Sequence, residues 1–328
     1  MVRGGVGLLA GLVLWALLIL FAASQLVMPP RRSIQDYHGS WLGDPGSHGI
    51  QIQEGRYLDG LVPCLLVTPW DGGISSHRGE IIRQQVAGLG HALGEFGEIH
   101  GTLVLLHGRK GRKEDLLPVA ERFCAVGFRC LLPDLPGHGD SPVGAVFYGA
   151  AASEGEIASR LLREVADREG FLPGATGVWG MSMGGAFAVR TVSSAPEQWD
   201  CLVIVSSFDS LDEVIREQSD SRAGIFGAAF AGGIGWALRT FHGFDPELAA
   251  PAAWAEGIEV PVLVAHGTSD PLFPLERGLN LFRAMKSSQK KWVEVDGGNH
   301  DNVLVTEMPL YAGMASWFLE HMIGRAGG

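Results

Sequence analysis

Gly180-Met181-Ser182-Met183-Gly184 stands between the apolar run Thr176–Trp179 and an alanine-rich stretch that begins at Gly185. A serine with glycine two positions away on each side, where a strand passes into a helix, is the pattern of a sharp turn that lifts a hydroxyl clear of a sheet. The helix that follows would set its N-terminus beneath the hydroxyl and favour developing negative charge there. A serine hydroxyl is a poor nucleophile until a base takes its proton. The base should be a histidine further along the chain, oriented by a carboxylate that precedes it. Asp270, in His266-Gly-Thr-Ser-Asp270, and His300, in Gly297-Gly-Asn-His300, each follow an apolar strand-like run. The ends of such strands are where open α/β sheets place their sites. Ser182, Asp270 and His300 are therefore expected to act together in acyl transfer, with serine as nucleophile, histidine as proton carrier and aspartate as its orienter.

Other residues compete for these roles. Asp209, after the run Cys201–Val205, is the second choice for the carboxylate. Asp301 neighbours His300 but would point elsewhere on its loop. His138 lies in a Pro-Gly-His-Gly turn, and His107 and His266 each open a His-Gly pair at a strand end, where bonding to backbone is the ordinary role. No histidine pair has metal-ligand spacing, and no GxGxxG follows the first strand. Neither a metal nor another cofactor is expected.

The elements that must hold these residues alternate. His48–Gln53, Leu61–Pro69, Thr102–Gly108, Phe128–Pro136, Thr176–Gly180, Cys201–Ser207, Val260–Gly267 and Lys291–Gly297 read as strands. Segments with helical spacing lie between most of them; Ile157, Leu161 and Val165 fall four apart in one. The alternation argues for βαβ units and a mostly parallel sheet flanked by helices. About fifty residues, 208–258, separate two of the strands, which is too long for a plain connection and reads as a small helical cap.

Together, Leu105–Gly108, Asp134–Ser141, Gly180–Gly185, His266–Pro274 and Gly297–Asn302 resemble the α/β-hydrolase superfamily, and more loosely its membrane-anchored lipase- and esterase-like branches. The resemblance spans about residues 50–325 and implies an α/β-hydrolase fold with a serine–histidine–aspartate triad. It also implies an oxyanion hole made by the backbone N–H groups of Met183 and Arg109. The chain departs from the family's His-Gly-Gly-Gly pattern, reading His107-Gly-Arg-Lys-Gly111. That loop brings Arg109, Lys110, Arg112 and Lys113 near the expected mouth, either as a solvated basic loop or as a steering surface for an acidic substrate or headgroup. An ester or thioester is the expected bond. The cap's Phe226, Phe230, Trp236, Phe241 and Phe244 suggest an acyl or lipid-like small-molecule substrate, or simply pack the cap onto the core. A serine peptidase on the same fold is the alternative, and would need a cap carboxylate such as Glu213, Glu217 or Asp220 to anchor a peptide terminus. A non-catalytic binding relative is a third reading. An epoxide or haloalkane hydrolase would need aspartate at position 182.

With 328 residues, 46% of them apolar, the chain is long enough to bury a full core. Its net charge of −11 argues against a nucleic-acid partner. Residues 1–28 are apolar from Gly4 to Ala23 and long enough to span a membrane, with Pro29-Pro30 as a stop. The run exceeds a signal peptide's apolar core, so a single-pass anchor is expected, the alternative being cleavage near Ala22-Ala23-Ser24 and a secreted or periplasmic product. Arg3 against Arg31 and Arg32 leaves the orientation open. Residues 29–48 read as a linker and 49–328 as the hydrolase domain. The four cysteines lie in or beside apolar runs and are expected as buried thiols, with a Cys124–Cys130 bridge open to an oxidising compartment.

Overall fold

A computed structural model of the chain describes residues 2–305 and 309–323. The expected domain limit at 328 lies outside the described residues, as does the side chain of Arg3. Eight strands form one sheet: β1 (Ile50–Tyr57), β2 (Val62–Pro69), β3 (Gly101–Leu106), β4 (Phe128–Pro133), β5 (Ala175–Met181), β6 (Cys201–Val205), β7 (Val262–Gly267) and β8 (Lys290–Val295). Their order is β1-β2-β4-β3-β5-β6-β7-β8. β2 runs antiparallel to both neighbours, and the remaining pairs are parallel. Every residue of β3, β6 and β7 is buried, as a strand covered on both faces requires.

The helices are α1 (Val2–Val27), α2 (Asp36–Gly43), α3 (His77–Gly88), α4 (Leu117–Ala125), α5 (Ala152–Gly155), α6 (Ile157–Glu169), α7 (Met183–Ser194), α8 (Leu211–Ala223), α9 (Gly227–Phe241), α10 (Pro251–Ala255), α11 (Leu275–Ala284) and α12 (Leu310–Phe318). Apolar residues of α3, α4 and α12 share a core with one set of strand side chains. Those of α6, α7, α8 and α9 share a second core with the opposite set, so each face of the sheet is covered. The amphipathic pattern of α6 buries Ile157, Leu161 and Val165.

The chain between β6 and β7 folds as α8, α9 and α10. The stretch read as an aperiodic linker carries α2, held by its burial rather than by its sequence: Gly39 and Gly43 weaken it, while buried Trp41 stacks on His48 at 3.7 Å and His38 reaches Asp115 at 2.8 Å. In α1, Leu9–Val27 is long and apolar enough to cross a membrane, a property shared by anchors and signal sequences. Cys124 and Cys130 are buried thiols and form no bridge.

Candidate active site

Ser182 joins β5 to α7 and is the N-cap of that helix. Its backbone sits at φ 57°, ψ −124°, a conformation disfavoured for any residue with a side chain. Neighbouring glycines make room for it. A Cβ on Gly180 would lie 2.2 Å from the Gly184 carbonyl oxygen, and one on Gly184 would lie 2.0 Å from that of Leu106. The turn is held from below: the Ser182 N–H donates to Val205 O at 2.9 Å, and Ser207 Oγ donates to Ser182 O at 2.8 Å.

His300, on the loop after β8, places Nε2 3.0 Å from Ser182 Oγ and Nδ1 2.8 Å from Asp270 Oδ2. Asp270, on the loop after β7, uses its other oxygen to accept the N–H groups of Leu272 and Phe273 at 2.8 and 2.9 Å. Burial pushes its carboxyl upward, but His300 and these two amides outweigh it and hold the group below the ordinary range. The ring of Phe273 stands edge-on to His300 at 5.0 Å. Met183 is the first residue of α7, so its N–H has no acceptor within the helix. Gly108, just before Arg109, passes so close that a Cβ there would lie 3.3 Å from Ser182 Cβ.

Asp301 borders the space around Ser182 and His300, and the other competing residues are engaged elsewhere. Asp209 accepts from Arg277 at 3.1 and 3.2 Å and from Asn280 at 3.1 Å. His107 Nε2 accepts the Leu135 N–H at 3.1 Å; His138 bonds Pro136 O at 2.8 Å and His266 bonds Phe273 O at 2.9 Å. Burial pushes all three imidazoles downward, His138 to about 3. Glu213 pairs with Arg216 and Glu217 with Arg277.

One expectation for the basic loop is corrected. Arg112 and Lys113 are buried, not at a mouth. Lys113 Nζ lies 2.8 Å from Glu114, 2.7 Å from Asp140 and 3.3 Å from both Asp134 and Glu54. The carboxylates of Glu54, Glu114 and Asp140 lie close enough together to hold a cation, and the Lys113 ammonium stands among them, with Arg112 also pairing Glu114 and Asp140. Arg109 and Lys110 do face the site.

Two cavities meet at Ser182 and His300. One, of about 690 Å³, is walled by Phe208, Leu211, Ile215, Phe230, Ile234 and Phe273, with α1 closing a further side. The other, of about 640 Å³, has Arg32, Tyr37, Lys110 and Asp115 on its walls. Of the five cap aromatics singled out in the sequence, Phe230 reaches the first cavity; Phe226, Trp236 and Phe241 are exposed, and Phe244 is buried against Phe147.

A parallel sheet with β2 reversed, a serine on the strained turn after β5, and histidine and aspartate on the loops after β8 and β7 make up one known arrangement. The fold is that of the α/β-hydrolases. A profile of the family described as serine aminopeptidase, S33, matches residues 97–230. An esterase from Pyrococcus furiosus has a similar fold, with a TM-score of 0.63 at 17% identity over 90% of this chain and 98% of that one. A membrane phospholipase A described as a bacterial virulence factor gives 0.55 at 16% identity, covering 97% and 98%. A cold-adapted esterase from an Arctic intertidal metagenomic library gives 0.53 at 19% identity, covering 84% and 95%. At these identities the likeness is one of fold. No curated protein matches this chain in sequence.

Proposed function

We propose that this α/β-hydrolase is a membrane-anchored serine hydrolase that cleaves carboxylic esters or thioesters through an acyl-enzyme. The observation that carries the reading is the row Ser182 Oγ, His300, Asp270, hydrogen-bonded end to end and opening onto the apolar cavity. Ser182 Oγ attacks the carbonyl carbon while its proton passes to His300 Nε2. The oxyanion is received by the N–H groups of Met183 and Arg109. Collapse breaks the bond to the leaving group, which takes the proton from His300. Water then attacks the acyl-enzyme, giving its proton to His300. The second collapse returns that proton to Ser182 and frees the acid. Asp270 keeps the Nδ1 proton in place and balances the imidazolium. The esterases and the phospholipase of similar fold support an acyl substrate, and α1 supports membrane attachment.

The peptidase reading draws on the description of the matched family. Against it, Glu213, Glu217 and Asp220 are absent from the cavity walls, so none of them is placed to anchor a peptide terminus. The test uses the full chain in detergent micelles with p-nitrophenyl esters, with aminoacyl p-nitroanilides as the counter-substrate and Ser182→Ala as the control. Ester turnover that falls by about four orders of magnitude or more in the variant is expected. Retained activity in Ser182→Ala, or preference for the anilides, would overturn the reading.

A further inference from the structure

The N-terminal helix is built into the catalytic body. Ile19, Ala23 and Val27, one turn apart, are buried against it. A Cβ on Gly233 of α9 would come within 2.5 Å of Ile19 Cδ1, so the two helices meet where the cap has no side chain. Trp15 packs on Phe226 and Phe230 with ring centroids 6.2 and 5.1 Å away. The last turn of α1 is pinned by hydrogen bonds from three separate positions of the body. Arg109 donates to Gln25 O, Tyr148 Oη to Leu26 O at 2.9 Å, and the Val146 N–H to Val27 O at 2.9 Å. Just beyond the helix, Arg31 donates to the carbonyls of Gly139, Ser141 and Val143. A hydrophobic tether that served only for attachment would need none of these contacts.

Between the buried stripe and the lipid-compatible face lies a third strip of the same helix. Leu18, Phe21, Ala22 and Leu26 line the cavity that holds Ser182. Leu18 and Phe21 are also 47% and 63% exposed, so they stand where the cavity meets the outside. Depth follows from helix geometry. Trp15 precedes Val27 by twelve positions, about 18 Å along the axis at 1.5 Å per residue. With Leu9–Val27 across a hydrocarbon layer of about 30 Å, Trp15 lies within that layer, and Phe226 and Phe230 of the cap lie beside it.

We propose that α1 is a wall of the acyl subsite, and that Leu18, Phe21, Ala22 and Leu26 select a long-chain acyl amphiphile resident in the bilayer. This rests on the ester-hydrolase reading above and deepens it. The apolar chain lies along α1 and under α8 and α9, with its ester carbonyl at Ser182. Removal of α1 at Ala22-Ala23-Ser24 would dismantle the subsite.

The test uses the full chain reconstituted in dioleoylphosphatidylcholine vesicles, with p-nitrophenyl palmitate and p-nitrophenyl butyrate as probes. The quantity read is the ratio of kcat/KM on palmitate to that on butyrate, which does not depend on the fraction of folded enzyme. Ala22→Trp fills the wall and is expected to lower the ratio at least tenfold. Val13→Trp, on the exposed face away from the cavity, is expected to keep the wild-type ratio. A ratio in Ala22→Trp equal to that in Val13→Trp would overturn the proposal while leaving ester hydrolysis standing. Absence of turnover on both probes in the wild type would instead overturn the ester-hydrolase reading beneath it.

Discussion

Ser182 holds a backbone conformation that its surroundings impose, and the two glycines around it are the reason the turn can exist. Gly184→Ala puts a methyl group into the Leu106 carbonyl. It is expected to move the hydroxyl and lower ester turnover by on the order of a hundredfold or more, read by kcat beside a melting curve. The two candidate acids separate by the same logic. Asp270→Asn should lower kcat by about four orders of magnitude, because His300 is left in the wrong tautomer. Asp209→Asn should instead cost stability, about 1–3 kcal/mol, because Arg277 loses one of its two carboxylates, the one it shares with Asn280, while kcat stays within a few-fold. The serine, the aspartate and the histidine were legible because each stands in a short motif beside an apolar strand. The fates of Asp209, His107 and His138 were not, since their partners lie on other segments of the chain.

Among the elements, the strands were legible to within a few residues, because continuous burial writes itself as continuous apolar sequence. Helix α3 passed unmarked, its Ile82 and Val86 making too thin an apolar stripe. The loop Arg109–Lys113 looked like a cationic surface because the sequence does not show Asp134, Asp140 and Glu54 closing around Lys113. Lys113→Met removes the ammonium facing buried Asp134, which keeps only backbone N–H donors, and is expected to destabilise the fold by about 3–5 kcal/mol in a denaturant titration. A second buried acid acts on the loop at α5. Glu154 accepts the N–H groups of Phe147 and Gly149 at 2.7 and 2.8 Å, and burial raises its carboxyl to about 7. A raised folded-state value means that stability is fully present below the ordinary carboxylate range and is lost as pH rises through about 7. Asp270, Asp140, Asp115 and Glu114 are all shifted the other way; their contribution is lost only at lower pH, as it falls through their depressed values. Glu154 thus contributes a falling slope of stability between pH 5 and pH 7, set against a rising one from the buried imidazoles of His107, His138 and His266, which are held low and gain stability as pH climbs toward their ordinary range. The Glu154 part is read as a difference: from pH 5 to pH 7 the melting temperature of Glu154→Gln should rise relative to that of the parent, and a constant difference would reject the assignment.

Taken whole, the molecule has no sharp border between the N-terminal helix and the α/β body. Arg109 belongs to the loop beside Ser182, and its guanidinium reaches the last turn of α1. That continuity was not legible in the sequence, since the apolar run reads the same whether it lies alone in lipid or against a cap some two hundred positions later. Protein extracted from membranes is expected to keep α1, and its intact mass checks this. A species beginning at Ser24 that still prefers palmitate would contradict it. The meeting of two unlike cavities at Ser182 has a consequence for traffic. In the proposed reaction the leaving group would face Arg32, Tyr37 and Asp115, while the acyl part stays behind α1. Water for the second step would then enter through the space the leaving group vacates. An acid freed behind α1 would be the last to depart, so under that proposal turnover is expected to slow as acid accumulates.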